Sequence, residues 1–173
     1  MGISNVFVRP IAARDWPLYR DMRLRALQDS PAAFASTYAS EVTRSDDDWA
    51  ARISAVAASK YAQAFLAFQH AEPCGLVWCK SSEAASGVVE IFQMWVEPAV
   101  RGVGVGRSLL AEAIAWAESR GAQTVRLGVT IADSPAMSLY RKSGFCDSGL
   151  PEPLREGSML MSQAMDLNLG SRI

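Results

Sequence analysis

The chain has 173 residues, of which 50% are hydrophobic and 20% charged, and 17 Lys+Arg against 18 Asp+Glu give a net charge of -1. This length predicts one domain with a sizeable core, and this composition excludes a disordered chain. The near-neutral charge argues against a nucleic-acid partner or a polybasic membrane anchor, so any anion site must be local.

The cysteines, the histidine and the N-terminus further limit which classes of protein and which kinds of site are possible. Cys74, Cys79 and Cys146 fit no zinc-ligand spacing, and we predict that they are reduced core residues. His70, the single histidine, is predicted to be a solvated turn residue, so no metal site is expected. The N-terminus lacks the features of a secretory signal, and no stretch approaches the roughly 20 apolar residues of a membrane span, which predicts a cytoplasmic protein.

The first third of the chain predicts a strand followed by two helices. Residues 6–11 alternate as a strand, and residues 12–29 carry apolar side chains at helical spacing, with Asp15 as a possible N-cap and Pro17 in the first turn. Residues 32–45 are ambiguous. Ser45 and the three aspartates after it predict the cap of a second helix, whose buried stripe is Trp49, Ile53 and Val56.

The remainder alternates strands and helices. We predict strands at 62–68, 76–79, 88–96, 124–129, 145–149 and 159–167, with a turn at 70–75 and helices after the glycines near 104 and at 135–143. Three antiparallel strands followed by strand-helix alternation favour a mixed sheet with helices on its faces.

A glycine-rich turn follows the strand at 88–96. Arg101, Gly102, Gly104 and Gly106 lead directly into a helix. Glycines let the backbone approach a ligand, and a helix N-terminus offers unpaired N–H donors, so this turn predicts a phosphate-bearing ligand.

Two common nucleotide patterns do not fit this turn. A Walker loop requires Lys-Ser/Thr after a longer glycine spacing, whereas Arg107-Ser108 follows here. A dinucleotide fingerprint requires a glycine where this chain has Arg107.

Two motifs together resemble the GNAT superfamily of N-acyltransferases. Arg101-x-x-Gly104-x-Gly106 resembles its acyl-CoA pyrophosphate loop, and Ala136-x-x-Leu139-Tyr140-x-x-x-Gly144-Phe145 resembles its second signature. The resemblance covers residues 76–145. It implies a single GNAT-type α/β (α+β) domain over residues 1–173, with a mixed, mostly antiparallel central sheet and helices on both faces.

The resemblance implies that acetyl-CoA is the cofactor. The residues that it places at the cofactor are Trp95, Val96, Arg101, Gly102, Val103, Gly104, Val105, Gly106, Arg107, Ser108, Asp133, Ala136 and Tyr140. Arg101 is either a direct phosphate contact or a solvated turn residue, and the Trp95 side chain is expected in the core. Asp133 replaces the asparagine usual in relatives, so it either contacts CoA or only caps a helix.

The implied reaction is direct attack of an amine on the acetyl thioester. A backbone N–H at the splayed end of the strand at 88–96 would polarise the carbonyl, and Tyr140 would protonate the departing thiolate. Glu90 is either the base, directly or through water, or a solvated strand end. Gln93 either lines the amine pocket or hydrogen-bonds a neighbouring helix.

The expected acceptor is a primary amine of a small molecule, and a homodimer is compatible with apolar segments at 32–38 and 159–165. Arg23 and Arg25 either face an acidic substrate or lie on a solvated helix face. The alternatives are a catalytically silent acyl-CoA-binding sensor or interaction module, an acetyltransferase acting on a protein N-terminus or lysine, and a nucleotide-binding protein.

Overall fold

The computed structural model of the protein describes residues 5–131 and 135–170. Its strands are β1 (Val6–Pro10), β2 (Ala62–Gln69), β3 (Glu72–Ser81), β4 (Val88–Val96), β5 (Thr124–Thr130), β6 (Cys146–Asp147), β7 (Glu152–Pro153) and β8 (Met161–Asn168). They form one sheet in the order β1-β2-β3-β4-β5-β8-β6, with β7 also paired to β8. The sheet is therefore the central layer, and it confirms the predicted fold class.

Helices cover both faces of this sheet. They are α1 (Trp16–Asp29), α2 (Tyr38–Glu41), α3 (Asp46–Ala58), α4 (Val105–Ser119) and α5 (Pro135–Lys142), with short 3-10 turns at Ala13–Asp15, Pro31–Ala33 and Pro98–Val100. One apolar cluster joins the sheet to α4 and α5, and a second joins the opposite face to α1 and α3. Within the described part of the chain, no helix is long and apolar enough to cross a membrane.

The junction between β4 and β5 differs from the other strand pairings. These two strands run parallel and are linked through α4, whereas every other pairing among the described strands is antiparallel. Their ladder pairs Val88–Ile91 only with Thr124–Leu127. The strands separate beyond these four pairs, and the separated ends lie beside the glycine turn.

The C-terminal end of α1 is fastened to β4 and to the glycine turn through one carboxylate. Asp29 Oδ2 accepts hydrogen bonds from Ser30 Oγ at 2.6 Å, Trp95 Nε1 at 3.0 Å and Arg101 Nη2 at 2.6 Å. The Ser30 hydroxyl, the Trp95 indole and the Arg101 guanidinium lower the pKa of Asp29 to about 2. This carboxylate therefore ties a helix, a strand end and a loop together.

Most predicted elements are confirmed. β4 has the predicted bounds, and Ser45 caps α3 by accepting from Asp48 N at 3.1 Å. The predicted stripe of Trp49, Ile53 and Val56 is buried.

Two local predictions are wrong, and a third is confirmed only in its position. The turn at 70–75 shortens to two residues because His70 and Ala71 both adopt positive φ values, 51° and 68°, which lets β3 begin at Glu72. Asp15 occupies the predicted N-cap position of α1, but its carboxylate accepts from Arg9 and from Ala12 N and makes no cap hydrogen bond. Cys146 is exposed on β6 and is not a core residue.

We predict that Asp29→Asn destabilises the protein at neutral pH by about 1 kcal/mol, because an amide weakens the charged hydrogen bonds. The folded state holds the pKa of Asp29 below the value of about 3.9 expected in the unfolded chain. Its stabilisation is therefore complete above that value and lost as pH falls towards about 2.

Urea unfolding at pH 7 and at decreasing pH measures this difference. The gap between wild type and Asp29→Asn should close as pH falls below about 5. Asp21→Asn, which removes an exposed carboxylate paired with Arg20 on the same helix, is the control and should show little difference at any pH. An equal gap for both variants would contradict the role of Asp29.

Candidate active site

The gap between β4 and β5 carries backbone groups without strand partners. Beyond Ile91 and Leu127 the two strands no longer pair with each other. On its other side β4 bulges, because Gln93 and Met94 together face the single residue Val77 of β3. Gln93 has a φ of 54°. Such a bulge reorients backbone groups locally, so an N–H of β4 in this region can serve as the predicted carbonyl donor.

The glycine turn ends at an open helix N-terminus. Gly102 and Gly104 have φ values of 84° and 96°, a region in which other residues are strained, and Gly104 is the N-cap of α4. Ser108 N bonds Gly104 O at 3.0 Å and is the first donor of the helix with an intrahelical acceptor. Because glycine has no capping side chain, the N–H groups before Ser108 are available to an anion.

Gly106 contributes by its small size. A Cβ atom there would lie 3.3 Å from Leu139 Cδ2 of α5 and 3.7 Å from a Val96 methyl. The missing side chain lets α5 pack against the first turn of α4. Val105 is buried under the turn, whereas Val103 and Arg107 are exposed and Ser108 is half-buried.

Arg101 is bonded within the protein. Its Nε donates to Val96 O at 2.9 Å and its Nη2 to Asp29. The guanidinium thus fastens the glycine turn to α1 and β4, and the Arg101 side chain is 46% exposed. The Trp95 side chain is buried, as predicted, and also donates to Asp29.

Tyr140 lies on α5 on the same face of the sheet as α4. It is 7% exposed, and its ring centroid is 6.0 Å from that of Phe145. Burial raises the pKa of Tyr140 to about 12. The phenol therefore keeps its proton at neutral pH, which is the form that can act as an acid. Ala136 lies on the same helix and packs against the core.

Glu90 belongs to a row of alternating charges across the sheet. It lies opposite Lys80 on β3 and opposite Arg126 on β5, and Arg126 in turn lies opposite Asp166 on β8. Arg126 binds Asp166 through two hydrogen bonds of 2.7 and 2.8 Å. Val89 and Ile91 point into the α4 side, so Glu90 lies on the opposite face, one residue before the strands separate.

Gln93 forms a hydrogen bond to a neighbouring helix, as one of the two alternatives predicted. Its Oε1 accepts from the Tyr19 hydroxyl on α1. The Trp78 ring packs against the rings of Tyr19 and Phe92 in tilted arrangements, with centroids 5.8 Å apart in both pairs. These aromatic side chains form a wall on the α1 side of β4, beside the gap.

Arg23 is expected either to face an acidic substrate or to lie on a solvated helix face, and the structure buries it. It is 2% exposed, so the expectation of a solvated helix face is wrong for Arg23. Arg25 is exposed and pairs with Glu97. Burial lowers the pKa of the Arg23 guanidinium, against the raising effects of Tyr19 and Glu41. Asp133 lies outside the described residues.

Sequence reasoning missed Tyr19, Asp29 and Trp78. The sequence indicates burial only for Tyr19 and Arg23. Both fall on the helical stripe that α1 buries, together with Met22, Ala26 and Leu27. The contacts of Asp29 and Trp78 come from distant parts of the chain and leave no local pattern.

The arrangement fits a long anionic ligand with an amide-bearing arm. The open donors of α4 suit a pyrophosphate, and the unpaired edges of β4 and β5 can hydrogen-bond amides. Glu90 and Tyr140 lie on opposite faces of the sheet near this gap, one a carboxylate and the other a protonated phenol.

Two curated relatives share part of this chain. Streptothricin acetyltransferase of Streptomyces lavendulae is 41% identical over 63 residues, which are 36% of this chain and 33% of that protein. A mycothiol acetyltransferase of Cellulomonas flavigena is 29% identical over 143 residues, which are 78% of this chain and 38% of that protein. The chain thus spans about a third of the length of these relatives.

A solved structure shares the fold over nearly the whole chain. It is yncA from Salmonella typhimurium, described as an acetyltransferase with its cofactor acetyl-CoA, with a TM-score of 0.77 and 20% identity over 95% of this chain and 94% of that one. The model of the acetyltransferase (GNAT) family matches residues 22–145. Because this match covers more than half of the sequence, the chain belongs to the GNAT family of acetyltransferases.

Proposed function

We propose that the protein is an acetyl-CoA-dependent N-acetyltransferase that acts on a primary amine of a small molecule. The observation that carries this proposal is the open N-terminus of α4, capped by Gly104, directly beside the gap between β4 and β5. Family membership supports acetyl-CoA as the cofactor. The cofactor residues are those of the glycine turn, Arg101 to Ser108, together with Trp95 and Val96 on β4 and Ala136 and Tyr140 on α5.

Acetyl-CoA supplies an acetyl thioester, on which a C–N bond to the amine forms while the C–S bond breaks. A backbone N–H near the Gln93 bulge polarises the carbonyl oxygen. Tyr140 donates its proton to the sulfur that leaves. Glu90, directly or through water, takes the proton that the attacking nitrogen loses, so the protons balance across the two faces of the sheet.

Arg101 acts through the turn that it fastens. Its bonds to Val96 O and Asp29 hold the glycine turn in position while its backbone donors bind the pyrophosphate. Long-range attraction of the anion is a second effect of the same charge.

The relatives named for streptothricin and mycothiol support a small acceptor. An acceptor on a protein N-terminus or lysine and a silent CoA-binding module are the alternatives that the tests below separate. We also propose a single domain and a cytoplasmic location, the latter because Cys74, Cys79 and Cys146 are free thiols. A homodimer is part of the same proposal.

We predict that thiol release from acetyl-CoA across a panel of amines detects turnover, and that Tyr140→Phe lowers kcat about 100-fold. The variant removes one hydroxyl and keeps the packed ring, so CoA affinity should change little. Tyr61→Phe, at an exposed tyrosine, is the control and should keep full activity. No turnover with any small amine or peptide would favour the silent module, and a fully active Tyr140→Phe would refute the acid role.

We predict that Gly104→Ala weakens CoA binding about tenfold, because a φ of 96° strains alanine and the N–H groups then shift. Gly149→Ala is a matched control, since Gly149 also has a positive φ, and a Cβ atom at either glycine would meet nothing within 4 Å. Calorimetric titration with CoA should show a loss only for Gly104→Ala. Equal affinity in both variants, or thermal protection by ATP or NAD equal to that by CoA, would contradict the proposed loop.

We predict that Glu90→Gln lowers kcat/KM at neutral pH about 100-fold, because the amide cannot take the proton from the attacking amine. Asp166→Asn, the other carboxylate of the charged row, is the control, because it disturbs the row without removing the proposed base. If both variants lose only similar amounts of stability and keep their rates, Glu90 is a structural member of the row.

A further inference from the structure

Arg23 is a buried cation, and two of its three guanidinium nitrogens have no hydrogen-bond partner among the described residues. Its Nε and Nη1 are fully buried and have no partner within the part of the chain that the structure describes. The guanidinium carbon lies 4.6 Å from the centroid of the Phe34 ring, which attracts the charge but accepts no strong hydrogen bond. A buried charge without such a partner costs free energy, so this residue requires an explanation beyond folding.

The nearest carboxylate is already occupied. Glu41 is 5% exposed, and its oxygens accept from Arg44 at 3.0 and 3.3 Å and from Arg52 at 3.0 Å. Arg44 and Arg52 thus bind this anion, whereas Arg23 interacts with Glu41 and Arg52 only through their charges. An additional anion would be attracted to the guanidinium whose Nε and Nη1 have no partner among the described residues.

The elements around Arg23 contact both strands that border the gap. One helical turn earlier on the same face of α1, Tyr19 donates to Gln93 at the bulge of β4. Phe34, which stacks on Arg23, belongs to the segment that follows Pro31–Ala33, and Thr130 Oγ1 of β5 donates to Ala32 O in that turn at 2.6 Å. The guanidinium therefore lies on the side of the sheet where Glu90 and the aromatic wall are found.

We propose that Arg23 binds a carboxylate of the acceptor, so that the substrates are amines that also carry a carboxylate group, such as amino acids. This inference rests on the proposed function. A planar guanidinium suits a carboxylate, and its surroundings of Tyr19 and Phe34 exclude water, which strengthens the interaction. The Trp78 ring packs beside Tyr19 on this side, with ring centroids 5.8 Å apart.

The kinetic test uses matched acceptors in the thiol-release assay: a set of L-amino acids, their carboxamides and their decarboxylated amines. Wild type should prefer the acids. Arg23→Met should lower kcat/KM for the acids about 10- to 100-fold, as expected for loss of a charged hydrogen bond, with little change for the decarboxylated amines or in the KM for acetyl-CoA. Arg23→Lys should retain part of the activity, and Arg20→Met, on the same helix, should match wild type. Equal efficiency of wild type on acids and decarboxylated amines overturns the inference and leaves the proposed function intact.

A binding test separates the inference from turnover. N-acetylated amino acids, which have no free amine, should raise the thermal midpoint of the wild-type protein in the presence of CoA and not that of Arg23→Met, whereas their carboxamides should raise neither. Arg23→Met alone should melt at the same or a higher temperature than wild type, because it removes an unpaired buried charge. A lower midpoint with an unchanged preference for acids would make Arg23 a structural residue. If no amine reacts but the N-acetylated acids still protect only wild type, the carboxylate site stands and the proposed reaction fails.

Discussion

The hydrogen-bonded ladder between β4 and β5 stops after four residue pairs, and the remainder of the candidate site follows from this early ending. Backbone groups beyond Ile91 and Leu127 need other partners, because an unpaired polar group in a sheet is costly. The bulge at Gln93 accommodates the extra residue of β4 opposite β3. The glycine turn places the unpaired N–H donors of α4 at the same end of the strand. A ligand with amides and a pyrophosphate matches both sets of groups.

The separated strands are held in place by side chains from α1. Tyr19 bonds the bulge, and Asp29 bonds Trp95 and Arg101 on either side of the strand end. Without such anchors the free end of β4 would depend on β3 alone. The same helix carries Arg23, so the element that shapes the cofactor gap also presents the unpaired cation to the acceptor side. Cofactor geometry and acceptor recognition are thus linked through one rigid helix.

Sequence reasoning succeeded where the determining pattern is local. The glycine turn, the strand before it and the Ser45 cap each occupy a few consecutive residues, and the structure has them as expected. It failed where partners are distant. Asp29 meets Trp95 and Arg101 66 and 72 residues later, which no local pattern reveals. A solvated face is one of the two alternatives for Arg23 because charged helix residues are usually exposed, although its place on the apolar stripe of α1 indicates burial. The length of the hairpin turn is overestimated from the sequence, because His70 and Ala71 adopt left-handed conformations although neither is a glycine, the residue that usually indicates them.

The parallel junction also has a consequence for how the chain folds. β1 to β4 include hairpin partners that are close in sequence, and α4 packs on β2 and β3 with Leu109 against Gly75. β5 can join only after the chain has crossed over through α4, and β8 then pairs with β5. We therefore expect the segment from β5 onwards to dock late in folding and to detach first in unfolding. Closing the long connection to a parallel strand costs chain entropy before the strand contacts can form. A ligand that spans the junction would bind the docked state alone, so it would slow the first step of unfolding.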